Sequence, residues 1–132
     1  MTMEPHPNAQ VYDSAGSTFW FNENGIVCFV TKNTPLQTLG DIINSFNKFK
    51  EIIGTRKVCV LLDITNSAEI TREVRNYMAS ELPEFIIAIA LISKTAFGKM
   101  LASIFLSISS QPYPTKNFVN EKDALKWLQQ YV

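Results

Sequence analysis

Apolar residues occupy consecutive positions in Lys57-Val58-Cys59-Val60-Leu61-Leu62-Asp63, where alternation with polar residues would mark a strand with one wet face. A run of this kind predicts a strand covered on both sides, as at the centre of a parallel sheet between layers. Phe85 to Ile92, uncharged and rich in isoleucine, predicts a second such strand. Upstream, Ser17–Asn22 and Gly25–Thr31 predict an antiparallel pair joined across Asn22-Glu23-Asn24-Gly25, with Gln10–Asp13 as a short edge strand. Thr115–Val119 predicts a short last strand.

Between these runs the period changes to that of a helix. From Thr38, Leu39, Ile42, Ile43, Phe46, Phe49 and Ile53 recur on one face after Pro35, and Gly54 is placed to stop the helix. A second helix opens near Thr71, turns Val74, Tyr77, Met78 and Leu82 inward, and closes at Pro83. A third runs from Thr95 to Ile108. A fourth follows Asn120-Glu121-Lys122-Asp123, with Leu125, Leu128 and Val132 inward. Strand and helix alternate after the hairpin, which calls for right-handed crossovers and a mainly parallel sheet. The expected fold is therefore α/β, with four helices, in a single domain over 10–132 preceded by a loose tail over 1–9.

Composition narrows the function classes. A chain of 132 residues with 46% hydrophobic and 18% charged residues has enough material for one core. Twelve basic and twelve acidic residues cancel, so no overall field draws in nucleic acid. Cys28 and Cys59 lie inside apolar runs without a closely spaced partner and read as buried free thiols of a reducing compartment, with a disulfide between neighbouring strands as the alternative. The first ten residues are polar and carry prolines, unlike a signal peptide, and Met100–Thr115 is too polar to span a bilayer. The expected location is the cytoplasm.

The order of elements, with Val-Cys-Val-Leu-Leu-Asp at 58–63, the uncharged strand Ile86–Ile92, Phe97-Gly98-Lys99-Met100-Leu101, Gln111-Pro112-Tyr113-Pro114-Thr115 and Ala124-Leu125-Lys126-Trp127-Leu128, resembles the SpoIIAA-like proteins of the STAS superfamily from Phe19 to the C-terminus. The resemblance implies a bacterial cytosolic domain that acts by binding a partner. SpoIIAA-like proteins are similar in structure to CRAL-TRIO lipid carriers, which implies an apolar ligand as a second role. In the family's anti-sigma-factor antagonists the switch is a phosphorylated serine in an Asp-Ser-Ser-Gly motif at the start of a helix. Here the matching stretch is Ile70-Thr71-Arg72-Glu73-Val74, so the motif is absent and Thr71 is the candidate switch position. The physical alternative for Thr71 is a helix N-cap, contributing about 1 kcal/mol.

Catalytic and metal chemistry find few residues to use. The single histidine, His6, sits between Pro5 and Pro7 in the tail, so neither a Ser-His-Asp nor a Cys-His arrangement has a base in the core. No His/Cys cluster has metal-ligand spacing, and no glycine-rich phosphate loop occurs. Asp63, with Glu69 shortly after, lies at the carboxyl end of a central strand, where open α/β sheets place ligands. The alternative is that its carboxylate accepts N–H bonds in the following turn.

The Thr95–Ile108 helix carries more apolar residues than one sheet-facing side can bury. Phe97, Met100, Leu101, Ile104 and Ile108 share one sector, and Phe105 and Leu106 extend it toward the Pro112-Tyr113-Pro114 loop. The fourth helix, a second copy of the chain or an apolar ligand could cover the surplus. Phe97, Leu101, Phe105, Leu106 and Tyr113 are the candidate surface. The expected function is a non-catalytic regulatory or protein-interaction module without cofactor, acting as a homodimer or with a protein partner. The alternative is a carrier or sensor of an apolar small molecule or lipid held under the third helix, with peripheral membrane contact in that case.

Overall fold

The computed structural model describes residues 4–14, 16–32, 37–66, 71–96, 99–100 and 113–132. Within them, six strands form one sheet in the order β1-β2-β3-β4-β5-β6, so that every strand lies beside its neighbour in sequence. β1 (Tyr12–Asp13), β2 (Ser17–Phe21) and β3 (Val27–Thr31) are antiparallel, and β3, β4 (Val58–Asp63), β5 (Ile86–Ile92) and β6 (Thr115–Phe118) are parallel. The expected mixed sheet is therefore present, with β1 two residues long where four were expected.

The hairpin turn is set by one side chain. Asn22 Oδ1 accepts from the N–H groups of Asn24 and Ile26, both at 2.9 Å, and Gly25 takes a φ of 79°. A side chain with a Cβ rarely adopts that angle, so the glycine lets the chain reverse within four residues.

α1 (Leu39–Ile53) begins at a reciprocal cap: Thr38 Oγ1 accepts from the Asp41 N–H at 3.1 Å, and Asp41 Oδ2 accepts from the Thr38 N–H at 3.1 Å. It ends where Gly54, at φ 67°, donates its N–H to the Lys50 carbonyl. α2 (Arg72–Glu81) runs into a 3-10 turn, Leu82–Glu84, because Pro83 cannot continue the α-helical bonding. α3 (Glu121–Leu128) is capped by Asn120, whose Oδ1 accepts from the Asp123 N–H at 2.8 Å, and ends in a 3-10 turn, Gln129–Tyr131.

Three α-helices are complete among the described residues, against the four expected. The expected Thr95–Ile108 helix falls almost wholly outside them. Ala96, Lys99 and Met100 are helical, and the Lys99 N–H bonds the Thr95 carbonyl at 2.9 Å. Pro35 also lies outside the described residues.

Each successive parallel strand is added on the same side, so right-handed crossovers place α1 and α2 on one face of the sheet. There Phe19, Val27, Phe49, Ile53, Val58, Val60, Ile89, Leu91 and Tyr113 belong to one core. α1 and α2 also meet directly, through an edge-on contact of Phe46 and Tyr77 and an ion pair of Lys50 and Glu81 at 3.3 Å. α3 follows β6 and covers the opposite face, where Ala124 and Leu128 share a second core with Cys28, Cys59, Leu61, Ala88, Ala90 and Ile92. Small residues on both sides let this short helix approach the sheet closely.

The strand pattern follows from these two cores. Along β4, Val58 and Val60 enter the first and Cys59 and Leu61 the second, which is why the run has no polar position until Asp63. β5 carries a bulge: Val58 pairs with Ile86 and Cys59 with Ala88, leaving Ile87 unpaired. The extra residue turns Ile87 and Ala88 to the same core and keeps Ile86 in the other.

The expectation that Val132 points inward is corrected, because it is 63% exposed. α3 has already passed into its closing 3-10 turn, which carries the last residue off the sheet. Both cysteines are buried free thiols, so the alternative of a disulfide between strands does not hold.

Candidate functional site

Parallel strands bring their carboxyl ends to one edge, and there the ends of β3, β4, β5 and β6 are tied together by short polar side chains. Asp63, 1% exposed, closes β4. Its Oδ1 accepts from the Thr65 N–H at 2.9 Å, an Asx-type turn, and its backbone carbonyl accepts from Thr31 Oγ1 on β3 at 2.9 Å. Asp63 Oδ2 is also buried and has no hydrogen-bond partner among the described residues.

Thr65 links this turn to the chain beyond β5. Its Oγ1 accepts from the Lys94 N–H at 3.2 Å, and its carbonyl accepts from Thr95 Oγ1 at 3.3 Å. Ser93, fully buried, donates its N–H to the Phe118 carbonyl at 3.3 Å and its hydroxyl to Asn117 Oδ1 at 3.2 Å, joining β5 to β6. Glu121 stands at the start of α3 above this edge. Burial holds its carboxyl above the usual value and the Asp63 carboxylate adds to that, while Lys94 opposes both.

Thr71 sits at the head of α2, and its Oγ1 accepts from the Val74 N–H at 3.2 Å. The hydroxyl therefore serves as an N-cap, satisfying one of the helix's free N–H groups. Glu69 lies outside the described residues, as do Phe97, Leu101, Phe105 and Leu106 of the candidate apolar surface. Tyr113, the remaining member, is 6% exposed and faces the core on the α1/α2 side. Its hydroxyl is buried without a partner among the described residues, and burial pushes its pKa up to about 12.

Sequence reasoning located Asp63 and Thr71 but not the partners that make the edge a network. The turn at Thr65 has a local signal, an acid two residues before a free N–H. The contacts from Ser93 to Asn117 and from Lys94 to Thr65 span 24 and 29 residues and depend on strand register, which no local pattern carries.

Among the described residues, the arrangement is a rim of strand ends anchored to one another by hydrogen bonds. His6 lies in the N-terminal segment, its Nδ1 accepting from the Asn8 N–H at 3.2 Å. Burial pushes the Cys28 thiol up to about 12 and raises Cys59 as well, so neither is a thiolate near neutral pH. Among the described residues no three His, Cys, Asp or Glu side chains are grouped to hold a metal ion, and no helix is long and apolar enough to cross a membrane.

A family model described as "Domain of unknown function (DUF7793)" matches residues 19–132. Among solved structures, the chain is similar to an uncharacterized protein of the DUF3478 family with a SpoIIAA-like fold from Shewanella loihica PV-4. The identity is 16% and the TM-score 0.58, over 97% of this chain and 98% of that one. That likeness shows the fold. A protein with unknown function from Arthrobacter sp. FB24 matches at 28% identity over 92% of this chain and 98% of that one, with a TM-score of 0.33. No curated protein matches the chain.

Proposed function

The chain belongs to the DUF7793 family, and from that premise and the carboxyl-end rim we propose a non-catalytic bacterial regulatory or protein-interaction module, cytoplasmic and self-associating. The observation that carries this reading is the use made of Asp63. The acid best placed for chemistry is 1% exposed, and one of its oxygens is occupied in holding the Thr65 turn. A buried carboxylate in that role fixes where the loops after β4 and β5 leave the sheet, which suits recognition by shape better than turnover.

A second reading, as carrier of an apolar small molecule, is favoured by the Tyr113 hydroxyl. A polar group held in an apolar core without a described partner suits the polar end of an otherwise apolar guest. Mass spectrometry of the freshly purified chain under native and then denaturing conditions tests both readings. The expected result is twice the 14.9 kDa chain mass with no further mass retained. A monomer that loses a small apolar molecule on denaturation would replace the first reading with the second.

A further inference from the structure

The sequence sets residues 1–9 apart as a loose tail, and in the structure Ala9, the last of them, packs against the second core. Tyr12, three residues on, lies on the opposite face, stacked on Phe19 with ring centroids 4.9 Å apart. The chain therefore wraps the β1 edge of the sheet, with one apolar side chain on each face. Strands stand about 4.8 Å apart and three residues reach at most about 10 Å, so Ala9 lies over β2 or β3. α3 packs chiefly on β4, β5 and β6, yet Trp20 on β2 and Cys28 on β3 are 4% and 2% exposed. The N-terminal segment thus closes the part of this face that lies farthest from α3.

Its attachment is uneven. Lys32 pairs with the Asp13 carboxylate at 2.6 Å and donates to the Ser14 carbonyl, and Thr18 Oγ1 donates to Asp13 Oδ1 at 2.9 Å, so the chain is fixed at Asp13 and Ser14. Before them, the turn at His6–Ala9 bonds only within itself: the Ala9 N–H donates to the His6 carbonyl at 2.9 Å, and the Asn8 N–H to His6 Nδ1 at 3.2 Å. Among the described residues no hydrogen bond or ion pair ties residues 4–11 to the sheet. The domain matched by the family model also begins beyond them, at residue 19.

We propose that residues 4–11 are a detachable strap, which pivots at Tyr12–Ser14 and lifts from the second core while the rest of the fold stays intact. A segment held by a small apolar contact and by no outward hydrogen bond opens at a lower free energy than the sheet it covers. Lifting uncovers the apolar face around Trp20 and Cys28, and the cost of wetting that face draws the strap back, so the open form is a minor state. Access to this face is thereby set by the N-terminal segment, whether or not the chain self-associates.

The two buried free thiols report the opening in the intact chain, Cys28 on β3 beneath the strap and Cys59 on β4 beneath α3. Alkylation by iodoacetamide, with the two sites resolved by peptide mass spectrometry, is followed across a urea series below the unfolding midpoint. Cys28 should label at least about tenfold faster than Cys59, at a rate nearly flat in urea because lifting exposes little surface, while the Cys59 rate climbs with the slope of global unfolding. Ala9→Asp sets a charge against the apolar face and should speed Cys28 labelling by about tenfold, with Cys59 unchanged. A wild type in which Cys28 labels no faster than Cys59, or follows the same urea slope, overturns the strap. So does an Ala9→Asp form that leaves Cys28 unchanged or accelerates both sites alike. Should Ala9→Asp fail to fold, the wild-type urea series decides the question.

Discussion

Asp63 and Tyr113 each bury an oxygen for which the described residues supply no partner, but their substitutions should differ. Asp63 Oδ1 holds the Thr65 N–H, so Asp63→Ala strands that donor and leaves a small void; it should lower the unfolding free energy by about 1–3 kcal/mol in urea titration. Asp63→Asn keeps the acceptor and removes a buried charge, and should stay within about 1 kcal/mol of wild type. Comparable losses for both variants would mean that the charge itself, and not the accepted bond, matters at the strand end. Tyr113→Phe removes only the hydroxyl from an apolar core. It should be neutral or stabilising by about 0.5–1 kcal/mol, and a loss beyond about 1 kcal/mol would show that the hydroxyl has a partner.

At the scale of elements, caps and stops follow from local chemistry, and for that reason they were legible in the sequence. Gly54, Thr71 and Asn120 all act at the positions that their side chains or conformational freedom suit, whereas the reciprocal cap of Thr38 and Asp41 was not read from the sequence. Gly54→Ala meets no steric obstacle but must hold φ at 67° with ψ at −129°, so it should cost about 1–3 kcal/mol of unfolding free energy, and Thr71→Ala about 1 kcal/mol from the lost cap. If Thr71→Ala left the melting temperature unchanged, the hydroxyl would be free for another use. Less legible were features set by distant partners. The β5 bulge at Ile87 follows from the pairing of Val58 and Cys59, and Ser93 needed the register of β6 to meet Asn117. Val132 shares the helical period of Leu125 and Leu128, yet the helix tightens before reaching it, so periodicity alone pointed it the wrong way.

For the whole molecule, the two-core plan places a titratable group in each layer: Cys28 beneath α3 and Tyr113 on the α1/α2 side. Burial raises the thiol from 9.0 and the phenol from 10.0, both to about 12, with Glu121 and Glu23 adding to the shift at Cys28. The folded chain keeps these protons where the unfolded chain has released them. Their contribution to stability is therefore complete below about pH 9 and is lost as pH rises toward 12. The urea midpoint should be level from about pH 7 to about 8.5 and fall steeply above that. Other alkaline effects act in the same direction, because deprotonation of the nine lysines leaves three arginines against twelve acidic residues. A comparison with Cys28→Ala/Tyr113→Phe separates the two causes. The double variant keeps the surface charge and lacks the two buried acids, so its midpoint should fall less steeply from pH 9 upward, whatever packing loss the alanine brings at neutral pH. Parallel curves for the two proteins would place the alkaline sensitivity in the surface charge and remove the two cores from its explanation.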